Sequence, residues 1–185
     1  MALSKITTES LLDGEITTAK IADSQITAAK FASGAGGKVL QVVSSLINTV
    51  STTTVVFPAD TSIPQNGEGV ELTTLAITPT AADSTLHIYM QISGTKSNGA
   101  GVYMCLFVDS TADAVTGTHA NNYGLPTCST SLHILSAAST SARTYKMRVG
   151  PDSAGAGTAY INRTAGGNQG GQKSYSGLYI YEIGA

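Results

Sequence analysis

The chain has 185 residues and a net charge of −2, with 10 basic against 12 acidic side chains, enough for one ordinary domain plus a short appendage. Only 12% of residues are charged, about half the usual ~25%, and no basic cluster occurs, which excludes nucleic-acid binding by phosphate neutralisation. No run of about 18 apolar residues is present to span a bilayer.

Met1 to Ser10 contain no apolar stretch of the kind a secretory signal needs, so none is expected. Large apolar residues then fall every five positions, at Ile6, Leu11, Ile16, Ile21, Ile26 and Phe31. A ten-residue unit is superposed: ITTESLLDGE, then ITTAKIADSQ, then ITAAKF. Five residues advance a helix by ~500° and alternate the faces of a strand, so this period keeps no single surface apolar. Residues 1–32 are therefore expected to form an arm of bends and helical turns. Asp13-Gly14 and Asp23-Ser24 mark the bends, and Thr17 or Thr18 supplies a cap ahead of Ala19-Lys20-Ile21. So few large side chains cannot offset the entropy of ordering the arm. The series must bury against copies of itself or a partner.

Residues 33–37, Ser-Gly-Ala-Gly-Gly, read as a flexible linker. Residues 38–185 read as β throughout, with strands expected at 38–46, 49–57, 70–78, 85–94, 101–109, 130–137, 143–149, 157–163 and 176–183. Along 85–93, Leu86, Ile88, Met90 and Ile92 alternate with His87, Tyr89, Gln91 and Ser93, which predicts a strand with its apolar side on the core. Residues 102–108 are apolar on both faces, so Tyr103 and Phe107 need a second cover from another subunit or a long loop. The terminal strand puts Tyr179, Tyr181 and Ile183 on one face. That face is either an outer surface shielded by Gly-rich loops or a subunit interface. The expected class is mainly β: a C-terminal antiparallel, jelly-roll-like β-sandwich behind the short repeat arm.

Signals for chemistry are sparse. His87, His119 and His133 lack metal-ligand spacing, and His87 and His133 are expected on outward or edge faces. Asp109 and Asp113 read as turn-capping carboxylates rather than cation ligands. Glu71 and Glu182 are the acids within strands, too few to favour a hydrolase. Cys105 lies in an apolar run and reads as a buried free thiol, Cys128 lies in a Ser/Thr-rich turn, and spacing leaves their pairing open. Asn121, Asn122 and Tyr123 are the local candidate for a ligand loop, with a turn-rich connection as the simpler reading. No enzyme, metal site or cofactor is expected.

Two stretches carry a resemblance. ITTAK-IADSQ-ITAAK, residues 16–30, resembles the N-terminal repeats of fibre proteins from tailed bacteriophages, where three chains wind together. Phe57-Pro-Ala-Asp-Thr-Ser-Ile-Pro-Gln-Asn-Gly-Glu-Gly69, Leu75-Ala-Ile-Thr-Pro79, Leu106-Phe-Val-Asp109 and Gly177-Leu-Tyr-Ile-Tyr-Glu-Ile183 are similar to a β-sandwich domain of phage and prophage virion proteins. The resemblance implies a homotrimer on the virion surface, assembled in the host cytoplasm. With under three repeats and one tip domain, it implies a capsid decoration (cement) or short head-fibre protein. The arm would attach to the major capsid protein or another virion protein. The alternative it implies is a tail or collar fibre tip that binds a host surface glycan. Neither nucleic acid nor membrane is an expected partner.

Overall fold

The computed structural model describes residues 17, 21, 38–97, 101–120, 127–152, 157–167 and 174–185. The chain divides into two compact units, Met1–Lys38 and Val39–Ala185. In the first, Ile21 is exposed and sits in a bend. Ile6, Leu11, Ile16, Ile26 and Phe31, and the expected helical turns, lie outside the described residues. The second unit is all β, and no helix occurs among the described residues.

Among the described residues ten strands follow in order: β1 Val39–Ile47, β2 Ser51–Thr53, β3 Val70–Ile77, β4 Thr85–Lys96, β5 Val102–Val108, β6 Thr116–Ala120, β7 Thr127–Ser136, β8 Arg143–Pro151, β9 Ala159–Ile161 and β10 Ser176–Ile183. They form two antiparallel sheets. The first runs β1-β10-β4-β9-β2 with β7 on the other edge of β4, and the second runs β3-β8-β5-β6. Period-two alternation builds the core between them. Leu86, Ile88 and Met90 of β4 and Leu178 and Ile180 of β10 meet Met104 and Leu106 of β5 and Met147 of β8, all with no exposed surface. The alternation expected over 85–93 is therefore the observed one.

β4 is the longest strand and organises the first sheet. β7 pairs along it from Thr85 to Gly94. On the opposite edge, β10 covers Thr85–Gln91 and β9 covers Gly94–Lys96. Both neighbours run antiparallel to β4, so β9 and β10 are two segments of one line, interrupted by residues 162–175. Asn162 and Ser176 clasp the neck of that excursion. Asn162 adopts a left-handed φ of 57°, a region Asn tolerates better than most residues. Its buried amide donates to the carbonyls of Ile47 and Thr49 at 3.1 Å and accepts from the Ser176 hydroxyl at 2.8 Å. The same hydroxyl accepts from the Ser93 amide at 3.0 Å.

The far end of the sandwich is closed by a carboxylate. Glu182 has no exposed surface. It accepts hydrogen bonds from Gln41 Nε2 (2.6 Å), the amides of Thr80 (2.9 Å) and Ala81 (3.1 Å), and Ser84 Oγ (2.7 Å). This one side chain ties β1 and β10 of the first sheet to the β3–β4 connection from the second. Burial alone would push its pKa up, but the hydrogen bonds outweigh burial and hold it at about 2.

A carboxylate whose folded pKa lies below its ordinary value stabilises the fold above that value, and the contribution is lost as pH falls through the folded pKa. For Glu182 the window runs from 4.5 down to about 2. Glu182→Gln is expected to cost on the order of 2–4 kcal/mol at neutral pH. Urea denaturation of the two proteins at several pH values checks this: the variant's stability should fall less steeply across the window, and equal slopes would refute the assignment.

Candidate functional site

The two sheets treat their outer faces differently. In the second sheet, the outward residues of β5 are covered by the chain itself. Phe57, 2% exposed, lies over Cys105 and Phe107. It arrives on the long β2–β3 connection, where its amide bonds to the Pro151 carbonyl at 3.0 Å and the Gly69 amide bonds to the Val56 carbonyl at 3.1 Å. Gly69 adopts a φ of 59°, and a Cβ there would collide with the Phe57 ring. Glycine thus satisfies both the left-handed backbone and the close approach. Arg148 fastens the same segment by donating to the carbonyls of Glu68 and Gly69 at 2.7 and 2.8 Å.

For Phe107 the expected cover is another subunit, which would make it an interface residue, or a long loop. It is buried beneath this loop, so the second cover that 102–108 required is the long loop. Tyr103 is half-buried and packs on Phe57 with ring centroids 5.8 Å apart. Burial, with the charge of Glu68 adding to it, pushes the Cys105 thiol up to about 12. Cys128 is exposed, and the two cysteines are free rather than paired.

The outer face of the first sheet has no such cover within Val39–Ala185 among the described residues. Register places Val42, Tyr181, His87 and Ile134 in one cross-strand row, and Ser44, Tyr179, Tyr89 and Leu132 in the next. A third row holds Leu46, Gly177, Gln91 and Thr130. None of these twelve positions is Asp, Glu, Lys or Arg. Val42 is 51% exposed, Leu132 46% and Ile134 52%. Tyr89 and Tyr181 stack edge-to-face at 5.6 Å. A depression of about 490 Å³ opens between His87, Tyr89, Gln91, Thr130, Tyr179 and Tyr181. Four strands at ~4.8 Å and rows at ~6.8 Å make the face roughly 15 by 15–20 Å. This uncharged face, with Ser44, His87, Gln91 and Thr130 among its Tyr and aliphatic side chains, is comparable in size to the largest patch on a typical monomer, which is often functional. Tyr179 and Tyr181 lie where the sequence placed them. Val42, Leu46, Tyr89, Leu132 and Ile134 join them only through strand register.

A second feature sits at the end of the sandwich remote from Glu182. Asp152, just beyond β8, accepts from the fully buried Lys96 at the end of β4 (2.6 Å to Oδ1) and contacts His119 Nε2 of β6 (2.7 Å to Oδ2). The Gly101 amide donates to Oδ2 at 3.2 Å. Burial acts to raise the Asp152 pKa, but hydrogen bonds from Lys96, His119 and Gly101 and the Lys96 charge outweigh it and hold the carboxyl low. Beside it opens a cleft of about 500 Å³. Three residues far apart in sequence make this cluster, and no local spacing signalled it. His133 is half-buried on the core side of β7, not on an outward face. Asp109 accepts from the Thr144 amide at 2.8 Å and Asp113 from Gln65 Nε2 at 2.9 Å, partners 35 and 48 residues away rather than the local amides that a turn cap engages. No group of three or more potential metal ligands occurs among the described residues. Asn121, Asn122 and Tyr123, the expected ligand loop, follow β6 but lie outside the described residues.

No protein-family model matches the chain, and no curated protein matches it. Among solved structures, an enzymatically active domain of tailspike protein 4 from bacteriophage CBA120 is 15% identical, with a TM-score of 0.31 over 80% of this chain and 20% of that one. Dimeric latent PorU from Porphyromonas gingivalis is 6% identical, with a TM-score of 0.35 over 80% and 13%. VP2 of the infectious bursal disease virus subviral particle is 11% identical, with a TM-score of 0.37 over 78% and 38%. This chain therefore spans well under half the length of each neighbour. At such scores the likenesses carry no functional argument.

The loop over β5 predicts a thiol readout. In the intact protein a colorimetric thiol reagent should react quickly with Cys128 alone. Phe57→Ala should cost about 3–5 kcal/mol and add fast reaction at Cys105 while the far-UV spectrum stays β-type. A Cys105 that remains inert in the variant would show that Phe57 is not its cover.

Proposed function

We propose that this chain is a structural virion protein of a tailed phage. In this reading it is a homotrimeric capsid decoration or short head-fibre protein, displayed on the virion surface and anchored through residues 1–32. The observation that carries it is the uncharged apolar outer face of the first sheet. Its occupant is a second and third copy of this chain. A surface without charge at its centre, rich in Tyr and aliphatic residues, has the composition of an interface core. Around a threefold axis the pairwise contacts are heterologous and close into a ring, so three copies cover one another's faces with no other partner.

Two sequence features support the same occupant. The five-residue Ile series cannot bury itself within one chain, and the repeats resemble those of trimeric phage fibres. Strand order supports the jelly-roll reading. With β2 and β9 set aside as extensions, the sheets run β1-β10-β4-β7 and β3-β8-β5-β6, the two interleaved four-stranded sheets of an eight-stranded double Greek key.

Leu132→Lys and Ile134→Lys test the proposal, because both side chains are exposed in the single chain and surface substitutions usually change folding by under ~0.5 kcal/mol. Native mass spectrometry should give three chains for the unmodified protein and one for either variant, with unchanged circular dichroism. Ile63→Lys, 54% exposed on the β2–β3 connection, should remain trimeric. Labelling of purified particles should fall with the trimer. A monomeric unmodified chain at micromolar concentration, or trimeric face variants, would refute it.

A further inference from the structure

The cleft at the Asp152 end is separate from the association face and takes part in nothing proposed so far. Its wall is the half-buried Tyr103 ring, set between Phe57 (5.8 Å) and the His119 imidazole (5.3 Å). Pro58, Asp60 and Asp152 complete the lining that matters. The aromatic wall stands on β5, where β6 pairs on one side and β8 on the other, opposite His119 and Gly150. Gly150 brings no side chain, and the Val55 carbonyl, Gly69 and the Phe57 ring occupy the place where one would stand.

The polar groups are held rigidly. Asp152 is fixed by Lys96, His119 and the Gly101 amide, and Asp60 by the amide and hydroxyl of Ser62. Burying a lysine completely carries a desolvation cost that its ion pair does little more than offset, so Lys96–Asp152 is weak evidence of a purely stabilising device. It does preorganise a carboxylate at the mouth of a cleft, and preorganisation is what a binding site gains from such a pair.

We infer that this cleft, walled by Tyr103 and rimmed by Asp60, His119 and Asp152, is a binding site for a neutral carbohydrate. A volume near 500 Å³ falls within the range of small-ligand sites and leaves room for a mono- or disaccharide. The C–H face of a sugar ring lies against Tyr103, the amphipathic ring that suits a ligand apolar on one side and wet on the other. Sugar hydroxyls donate to Asp60 Oδ2, which takes no bond from Ser62, and to the one lone pair left on Asp152 Oδ1, since His119 and the Gly101 amide take both of those on Oδ2. Two carboxylates disfavour a phosphate or sulfate in the same place, and the Lys96 charge already neutralises one of them, which removes most of the attraction for a cation. Lys96 is a positioning residue here, with Asp152 between it and the ligand.

Saturation-transfer NMR of the full chain tests this, with millimolar methyl glycosides of glucose, galactose, rhamnose and N-acetylglucosamine as probes. Glucose 6-sulfate and tetramethylammonium serve as charged controls. At least one neutral glycoside should receive saturation and shift the Tyr103 and His119 ring resonances of the unmodified protein, while the controls do neither. Tyr103→Phe should bind within about threefold of the unmodified chain and Tyr103→Ala at least about tenfold more weakly, a difference of ~1.4 kcal/mol. Asp83→Asn, exposed on the β3–β4 connection at the other end of the sandwich, should change nothing. The ring shifts keep the test decisive even if Tyr103→Ala folds poorly. Silence from all four glycosides overturns the inference. So does binding by a charged control alone, or binding that survives Tyr103→Ala.

Discussion

A β-strand that is apolar on both faces needs two covers, and that requirement shapes this molecule. β4, β5, β8 and β10 bury one face each in the common core. The outer face of β5 receives Phe57 from the chain's own β2–β3 connection. The outer face of β4 and β10 receives nothing from the described part of the sandwich. One sheet is finished within the chain and the other is not. The difference between them is a segment of twelve residues, Phe57 to Glu68, laced down by the Arg148 guanidinium and by Ala114 and Asn66 backbone bonds at 2.9 and 2.8 Å. Where such lacing is absent, a second copy of the chain is the simplest source of cover.

Polar groups inside the sandwich sit where regular pairing stops. Glu182 caps a connection that crosses between sheets, and Asn162 with Ser176 closes the gap between β9 and β10. Asp152 gathers Lys96, His119 and Gly101 where β4, β6 and β5 end. Each satisfies backbone amides or buried side chains that no ladder reaches. Their energetic roles differ. Glu182 accepts from neutral donors, and ionisation is strongly favoured by the fold. Lys96–Asp152 is a charge pair whose Coulomb gain is largely spent on desolvation. Among the described residues, two buried side-chain atoms have no hydrogen-bond partner, Thr95 Oγ1 and the Tyr145 hydroxyl. Tyr145 fills core volume at the cost of its hydroxyl, and burial, the leading cause, pushes its pKa up.

Much of the sandwich was legible because period-two alternation in 85–93 and 176–183 fixes both strand and face. β6 was missed because Thr116-Gly-Thr-His-Ala120 carries no large apolar residue. It is a strand through its pairing to β5, and Gly117 is required there because a Cβ would press on Cys105 Sγ. The strands expected at 49–57 and 157–163 were too long. β2 stops at Thr53 and only Phe57 returns as an isolated bridge to Asp152, while Asn162 turns left-handed directly after β9. Tyr179 and Tyr181 could be assigned a face from local spacing. Leu132 and Ile134 could not be joined to them, because that requires knowing that β7 and β10 flank the same strand. The Asp152 cluster was invisible for the same reason: its members meet only at strand ends.

The central claim is that the β1-β10-β4-β7 face is covered by copies of the chain. Tyr89 and Tyr175 provide an internal comparison, being 37% and 42% exposed in the single chain. Hydroxyl-radical footprinting of the full-length protein, read by mass spectrometry, measures both in one sample. The account predicts strong protection of Tyr89, in the middle of the face, while Tyr175 outside the paired rows stays reactive. Oxidation of the two tyrosines at equal rates would mean the face is open to water in solution, and the claim would fail.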